Sequence, residues 1–216
     1  MPPGLTIFDC DGVLVDSEVI ACRVCVPCLA ELGIEITAEE VADRYIGMSA
    51  GSMIADLETR YDRHLPMDLY ETMRDRIIAA FETEPLTIDG VDAVLASHRG
   101  NICVASGSTQ ERVRRCLTLV GLLRHFDPHI FSATQVAHGK PAPDLFLFAA
   151  QQMGADARDC LVIEDSVHGV MAAVAAGMRV LGFTGGSHCR PGHADRLLAA
   201  GASAIFQHMR DLPPLL

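Results

Sequence analysis

The chain has 216 residues, half of them hydrophobic, and a formal charge of −11 from 28 acidic and 17 basic side chains. That length suits one domain, or one domain with a modest insertion, with ample apolar material for a core. The acidic balance reads as solubility and excludes the basic footprint of a nucleic-acid binder; residues 170–183, the longest apolar candidate, are broken by Gly177 and Arg179 and exclude a membrane span.

In chain order, Leu5, Ile7 and Phe8 predict a short buried strand that ends where Asp9, Asp11 and Gly12 begin. Residues 16–86 contain no convincing strand but several helix starts. Asp16 or Ser17 precedes an apolar-periodic run, Thr37 and Glu40 form a capping box, and Pro66 opens a helix over 67–81. Gly33 and Gly47 read as helix ends. From Ile88 onward strands and helices alternate. Ile102-Cys103-Val104-Ala105 runs into Ser106-Gly107-Ser108, and a second capping box, Ser108 to Glu111, opens the next helix. Ile130-Phe131 is a weaker strand, 143–153 a helix, and Cys160-Leu161-Val162-Ile163 a buried strand ending in Glu164-Asp165. Ser166 caps a helix that Gly177 ends, and Val180 to Phe183 and Ala204 to Phe206 supply the last strands. The alternation implies an α/β fold, a Rossmann-like doubly wound parallel sheet, with an all-α block inserted after its first strand. Eight cysteines with no signal peptide ahead of Asp9 lead us to expect a cytoplasmic protein with reduced thiols.

Ligands of such sheets sit at the carboxyl ends of the strands, and the polar residues collect there. Asp9 and Asp11, one residue apart, raise each other's pKa unless a cation lies between them, and a hard dication such as Mg2+ resolves the conflict. Taken singly, each residue has a plainer reading: Asp9 and Asp11 as turn residues, Ser106 and Ser108 as caps, Glu164 and Asp165 as punctuation, Lys140 as a loop lysine. Taken together, they suit a phosphorylated metabolite. Asp9 would attack phosphorus, and Asp11 would protonate the leaving oxygen and then activate water. Asp9, Asp165 and a backbone carbonyl would hold Mg2+. Lys140 would neutralise the nucleophile and a phosphate oxygen, and the Ser106 hydroxyl with the N–H of Gly107 and its neighbours would bind another oxygen.

Four segments then carry a resemblance: D-C-D-G-V-L-V-D-S-E, V-A-S-G-S, G-K-P-A-P-D-L-F and I-E-D-S-V-H-G-V. In that order they resemble the four motifs of the haloacid dehalogenase superfamily, most closely its β-phosphoglucomutase-like phosphatases. The resemblance implies a catalytic core of residues 1–15 and 87–216 and a helical cap of 16–86, hinged near 15–16 and 86–88. It implies Asp9 as nucleophile, Asp11 as acid/base, Ser106 and Lys140 as phosphate ligands, and Mg2+ at Asp9, Asp165 and the Asp11 carbonyl. Glu164 would be a direct or water-mediated metal neighbour. The mutases of this family carry a cap histidine where this chain has about Ala21, and a basic residue after the turn that here reads Gly47-Met48-Ser49-Ala50. Hydrolysis is therefore favoured over phosphosugar mutase chemistry. A signalling receiver domain, which shares an aspartyl-phosphate, is disfavoured because the nucleophile lies on the first strand and a helical insertion follows. Arg23, Arg74 and Arg76 are cap candidates for substrate charge. Cys22, Cys25 and Cys28 lack a fourth ligand for a closed metal site and read as packing residues. His188-Cys189-Arg190 reads as an ordinary surface loop. The expected partner is a small phosphorylated metabolite, with no nucleic acid or membrane, and nothing demands more than a monomer.

Overall fold

The computed structural model describes residues 3–84 and 87–216. Strand β1 (Leu5–Phe8) is followed by four helices, α1 (Glu18–Ala30), α2 (Ala38–Tyr45), α3 (Ala50–Tyr61) and α4 (Leu69–Phe81). Then come α5 (Val91–Ser97), β2 (Asn101–Ser106), α6 (Gln110–Leu119), α7 (Leu123–Phe126), β3 (Ile130–Ser132), α8 (Asp144–Gln152), β4 (Cys160–Glu164), α9 (Val167–Ala175), β5 (Arg179–Phe183), α10 (His193–Ala200) and β6 (Ala204–Phe206).

Among the described residues six strands form one parallel sheet in the order β3-β2-β1-β4-β5-β6. β1 pairs with both β2 and β4, so the chain winds outward in one direction from β1 to β3 and in the other from β4 to β6. This reversal is the switch point at which open α/β sheets bind ligands. Both faces are covered, which explains why β1 and β4 read as continuous apolar runs rather than alternating ones. Phe8, Val104, Leu161 and Ile163 face one core, and Leu5, Ile7, Cys103 and Val162 face the other. Successive side chains leave opposite faces of a strand, so a run buried on both sides needs no polar positions.

The helical block closes over the carboxyl edge of the sheet. The turn after α2 carries Gly47 at φ +82°, and a Cβ there would meet Ser166 Oγ at 2.1 Å. The same turn lies against Gly107 and Gly139, and His168 Nδ1 donates to the Ile46 carbonyl at 3.1 Å. Ser187 donates to Asp16 through both its N–H and its hydroxyl, and Arg196 pairs with Asp43.

Several expectations needed adjustment. The capping box at Thr37 forms as expected, with Glu40 returning to the Thr37 N–H. The helix after Pro66 begins at Leu69, leaving Met67 fully exposed. Helix α3 is an additional element, capped by Ser49 and burying Leu57 on its inner face. The second capping box does not form. Thr109 caps α6 by accepting from the Arg112 N–H, and Ser108 is turned elsewhere. Leu86, at the second expected hinge, lies outside the described residues.

Candidate active site

Asp9 directly follows β1 and continues its ladder, donating its N–H to the Ile163 carbonyl at 3.0 Å. The chain then curls tightly: Gly12 N–H donates to Val15 O, and both Leu14 and Val15 donate to Cys10 O. Gly12 is required in this curl. Its φ is +81°, and a Cβ there would sit 2.0 Å from Asp165 Oδ2. Cys10 is fully buried in the apolar core, so its side chain leaves the two aspartates unobstructed.

Asp9 and Asp11 are separated into different surroundings. Lys140 Nζ lies 3.0 Å from Asp9 Oδ1 and hydrogen-bonds Glu164 Oε1, and neither Lys140 nor Glu164 reaches solvent. The ammonium also stands 5.0 Å from the centre of the Phe146 ring, a cation–π distance. Glu164 Oε2 accepts from the N–H groups of Asp165 and Ser166 and from the Ser166 hydroxyl. It folds into space left by Gly169, where a Cβ would meet its Oε1 at 1.8 Å. Asp165 is fully buried, and among the described residues neither of its carboxylate oxygens has a hydrogen-bond partner, although His188 Nε2 stands 2.9 Å from Oδ2 as an ion-pair contact.

Burial pushes the Asp9 carboxyl well above the ordinary range; Lys140 pulls it back, while the charges of Glu164, Asp165 and Asp11 add to the rise. Burial likewise raises Asp165, against the opposing pull of His188. Burial works against the Lys140 charge, but Asp9 and Glu164 outweigh it and hold the ammonium above ordinary lysine. Three carboxylates against the Lys140 ammonium and the His188 ring still leave this corner short of positive charge. One oxygen each from Asp9, Glu164 and Asp165 lie within 4.8 Å of one another. An all-oxygen acidic set with two unpartnered buried oxygens fits a hard divalent cation.

Asp11 already has its cation. Arg112 donates to Oδ1 at 2.8 Å, Ser17 to the same oxygen at 2.6 Å, and Ser108 to Oδ2 at 2.8 Å. The Ser106 hydroxyl is 3.4 Å from Oδ2 and accepts from the Ser108 N–H at 3.0 Å. Burial alone would raise the Asp11 carboxyl, but Arg112 and the hydrogen bonds from Ser17, Ser108 and Arg112 hold it below its usual value. With its oxygens so occupied, Asp11 can offer a metal only its backbone carbonyl.

A cavity of about 110 Å³ opens between sheet edge and helical block. Asp9, Asp11, Ser106, Gly107 and Arg112 line its floor, and Ala21, Met48, Tyr70, Met73 and Arg74 its roof. Lys140, Glu164 and Asp165 lie beneath the floor rather than on the wall. Of the three cap arginines, Arg74 alone reaches this cavity, with its guanidinium also on Asp75. Arg23 pairs with Glu84 and Arg76 with Glu31 on the outer surface. Cys22, Cys25 and Cys28 are buried packing residues. Glu18 is an unexpected wall residue: burial, then the charges of Asp11 and Asp165, push its carboxyl to about 8. Arg112 carried no expectation, and Ser17 and Ser108, read only as a helix start and a cap, both donate to Asp11. His188 is buried against Asp165, which corrects the reading of its loop as ordinary surface.

A buried carboxylate beside a buried lysine, an acidic corner fitted to a cation, and a cavity at a switch point suit an enzyme of phosphoryl chemistry. The comparisons specify which. A model of the haloacid dehalogenase-like hydrolases matches residues 6–183, and the chain belongs to that family. It is 30% identical over 209 residues, 96% of this chain and 92% of the relative, to 6-phosphogluconate phosphatase of Escherichia coli K12. A haloacid dehalogenase-like protein of Agrobacterium tumefaciens superposes with TM-score 0.81 at 42% identity, covering 98% of this chain and 96% of that one. A family hydrolase of Deinococcus radiodurans, solved with bound phosphate and sodium, superposes with TM-score 0.74 at 33% identity, covering 99% and 95%. This protein is accordingly a hydrolase of phosphate esters.

Proposed function

We propose that the protein is a Mg2+-dependent phosphatase that releases phosphate from a small sugar or sugar-acid phosphate through an aspartyl-phosphate on Asp9. The observation that carries this reading is the split between two carboxylates two positions apart. Asp9 faces Lys140 and the unbalanced acidic corner, whereas Asp11 faces Arg112 and the cavity. Burial and the neighbouring carboxylates raise the Asp9 carboxyl; the Lys140 ammonium opposes that rise, and a divalent cation at the acidic corner would complete the offset and leave Asp9 ionised and nucleophilic.

In this reading an Asp9 oxygen bonds to phosphorus as the P–O bond to the substrate alcohol breaks. Asp11 supplies the proton to the departing oxygen. It then takes a proton from the water that cleaves the acyl phosphate, which returns Asp9 free and leaves Asp11 loaded for the next substrate. Lys140 offsets the charge of Asp9 and of one phosphoryl oxygen, and the Ser106 hydroxyl and Gly107 N–H receive another. Asp9, Asp165 and the Asp11 carbonyl would hold Mg2+, which offsets negative charge between nucleophile and phosphate when bound. Glu164, whose oxygens already accept four donors, acts at one remove by anchoring Lys140 and the turn at 165–166.

Residues 16–86 act as the cap over a core of 1–15 and 87–216, and closure excludes water. Arg74 on the roof meets the far end of the substrate, where a hydroxyl or carboxylate suits it; the 6-phosphogluconate phosphatase relative supports that class. Ala21 and residues 47–50 line the cavity without a titratable side chain, which supports transfer to water over mutase chemistry. A panel of phosphorylated metabolites assayed with Mg2+ beside Asp9→Asn tests the proposal. We expect metal-dependent phosphate release that falls on the order of 10⁴-fold in the variant. Wild-type turnover by Asp9→Asn would overturn the nucleophile assignment.

A further inference from the structure

The loop from β5 to α10 gathers a second set of metal-ligand side chains that the phosphatase reading does not use. Of the eight cysteines, seven are buried, and Cys189 alone is half-exposed. It lies between His188 and the first residue of α10, His193. One ligand atom each from His188, Cys189 and His193 lie within 4.8 Å of one another. We propose that Cys189, His188 and His193 form a binding site for a thiophilic divalent cation of the zinc class, bordered by Asp165.

The ligand atoms already lie close to one another. His188 Nε2 stands 3.4 Å from Cys189 Sγ, and its ring meets that of His193 edge-on at 5.6 Å between centroids. His193 Nε2 contacts the Asp165 carbonyl oxygen at 2.6 Å, and Arg196 donates to His193 Nδ1 at 3.1 Å. Together these bonds assign the tautomer: Nε2–H donates and Nδ1 carries the lone pair. A ring N–H tied to a backbone carbonyl is the usual outer support of a metal-binding histidine. The loop backbone is pinned as well, with Cys189 N–H on Gly186 O and His193 N–H on Arg190 O, both at 3.0 Å.

Arg196 now stands against the His193 lone pair, and its other nitrogen is held by Asp43 at 2.9 Å, so a cation can displace it without stranding its charge. Arg190 is likewise spoken for by Glu39. A cavity of about 30 Å³ opens beside the two histidines.

Donor chemistry separates this site from its neighbour. One sulfur and two imidazoles select a borderline or soft ion, whereas the Asp9–Glu164–Asp165 corner offers only oxygen and selects a hard one. Asp165 Oδ2, 2.9 Å from His188 Nε2, is the nearest candidate for a fourth ligand. An ion bound by the thiol and imidazoles therefore draws on Asp165, and in so doing inhibits the phosphatase; this coupling, unlike the site itself, rests on the Mg2+ role proposed for Asp165.

Cobalt(II) is the direct probe. Titrated into the full chain, it should give one equivalent of a thiolate-to-cobalt charge-transfer band that Zn2+ bleaches. The band should vanish in Cys189→Ser, with Zn2+ affinity down roughly 100-fold, and persist in Cys22→Ser. Far-UV circular dichroism establishes that Cys189→Ser is folded, and His193→Gln gives a second variant that should lose the band. A folded wild-type protein without the band, or a band that survives Cys189→Ser, would overturn the site. Zn2+ should also inhibit Mg2+-dependent phosphate release with the midpoint of band occupancy. Full occupancy without inhibition would overturn the coupling, whereas absence of phosphatase activity before zinc is added would count against the phosphatase reading alone.

Discussion

Asp9 and Asp11 share a turn, a charge and near-complete burial, yet their surroundings drive them in opposite directions. Around Asp9 there are more carboxylates than cations, and its carboxyl is raised. Around Asp11 there are an arginine and three hydroxyls, and its carboxyl is lowered. One half of the site is built to receive a cation, and the other arrives with its own. The contrast shows how a two-residue spacing yields two chemical roles: β1 ends between two neighbours, and the curl at Gly12 hands the second carboxylate to elements that the first never meets.

The largest disturbance to this contrast should come from Lys140→Met. The substitution leaves Asp9, Glu164 and Asp165 facing one another without their ammonium, and removing one partner of a buried pair costs about 3–5 kcal/mol. Urea unfolding should show that loss, with part of it recovered by added Mg2+; unchanged stability would mean that the lysine does not balance the cluster.

Arg112→Gln attacks the other half. It should lower kcat/KM by roughly 100-fold while leaving the Lys140 cluster intact. Because Arg112 holds the Asp11 carboxyl down, its loss raises that pKa, and the limb of the kcat/KM profile set by protonated Asp11, the alkaline one, should move to higher pH. A limb that stays in place would break the link between Arg112 and Asp11.

Glu18→Gln is the gentlest of the three. The Glu18 carboxyl rises from 4.5 to about 8 on folding, so the folded chain holds this proton more tightly. Its contribution is full below about pH 4.5 and is lost as pH rises through about 8. The melting temperature of the wild type should fall across that window, and the Gln variant should flatten the fall. Parallel curves would place Glu18 outside the charge balance of the cavity.

The fold was legible where local chemistry and long-range packing agree. Apolar runs ending in Asp9, Ser106 and Glu164 marked three neighbouring strands, and alternation with helices marked the parallel sheet, because such strands are buried on both faces. Thr37 and Ser166 cap the helices they were expected to cap, since a cap is satisfied within four residues. Ser108 shows the limit of that rule. Its spacing to Glu111 suits a capping box, yet its hydroxyl goes to Asp11, 97 residues away in the chain. Arg112 escaped notice for the same reason: one turn into α6, it looks like any solvated helix arginine until the first strand is laid beside it. His188 carried a usable signal, since it follows β5 at the same sheet edge as the other polar strand ends.

In the proposed reaction Asp9 carries the phosphoryl group. The direct measurement is acid quench during turnover with Mg2+ and the best substrate from the metabolite panel, followed by peptide mass analysis. The account predicts a phosphoryl mass on the peptide containing Asp9, absent in Asp9→Asn and absent without substrate. Steady release of phosphate with the phosphoryl group on another residue, or with the Asp9 peptide unmodified under conditions that trap an acyl phosphate, would contradict it.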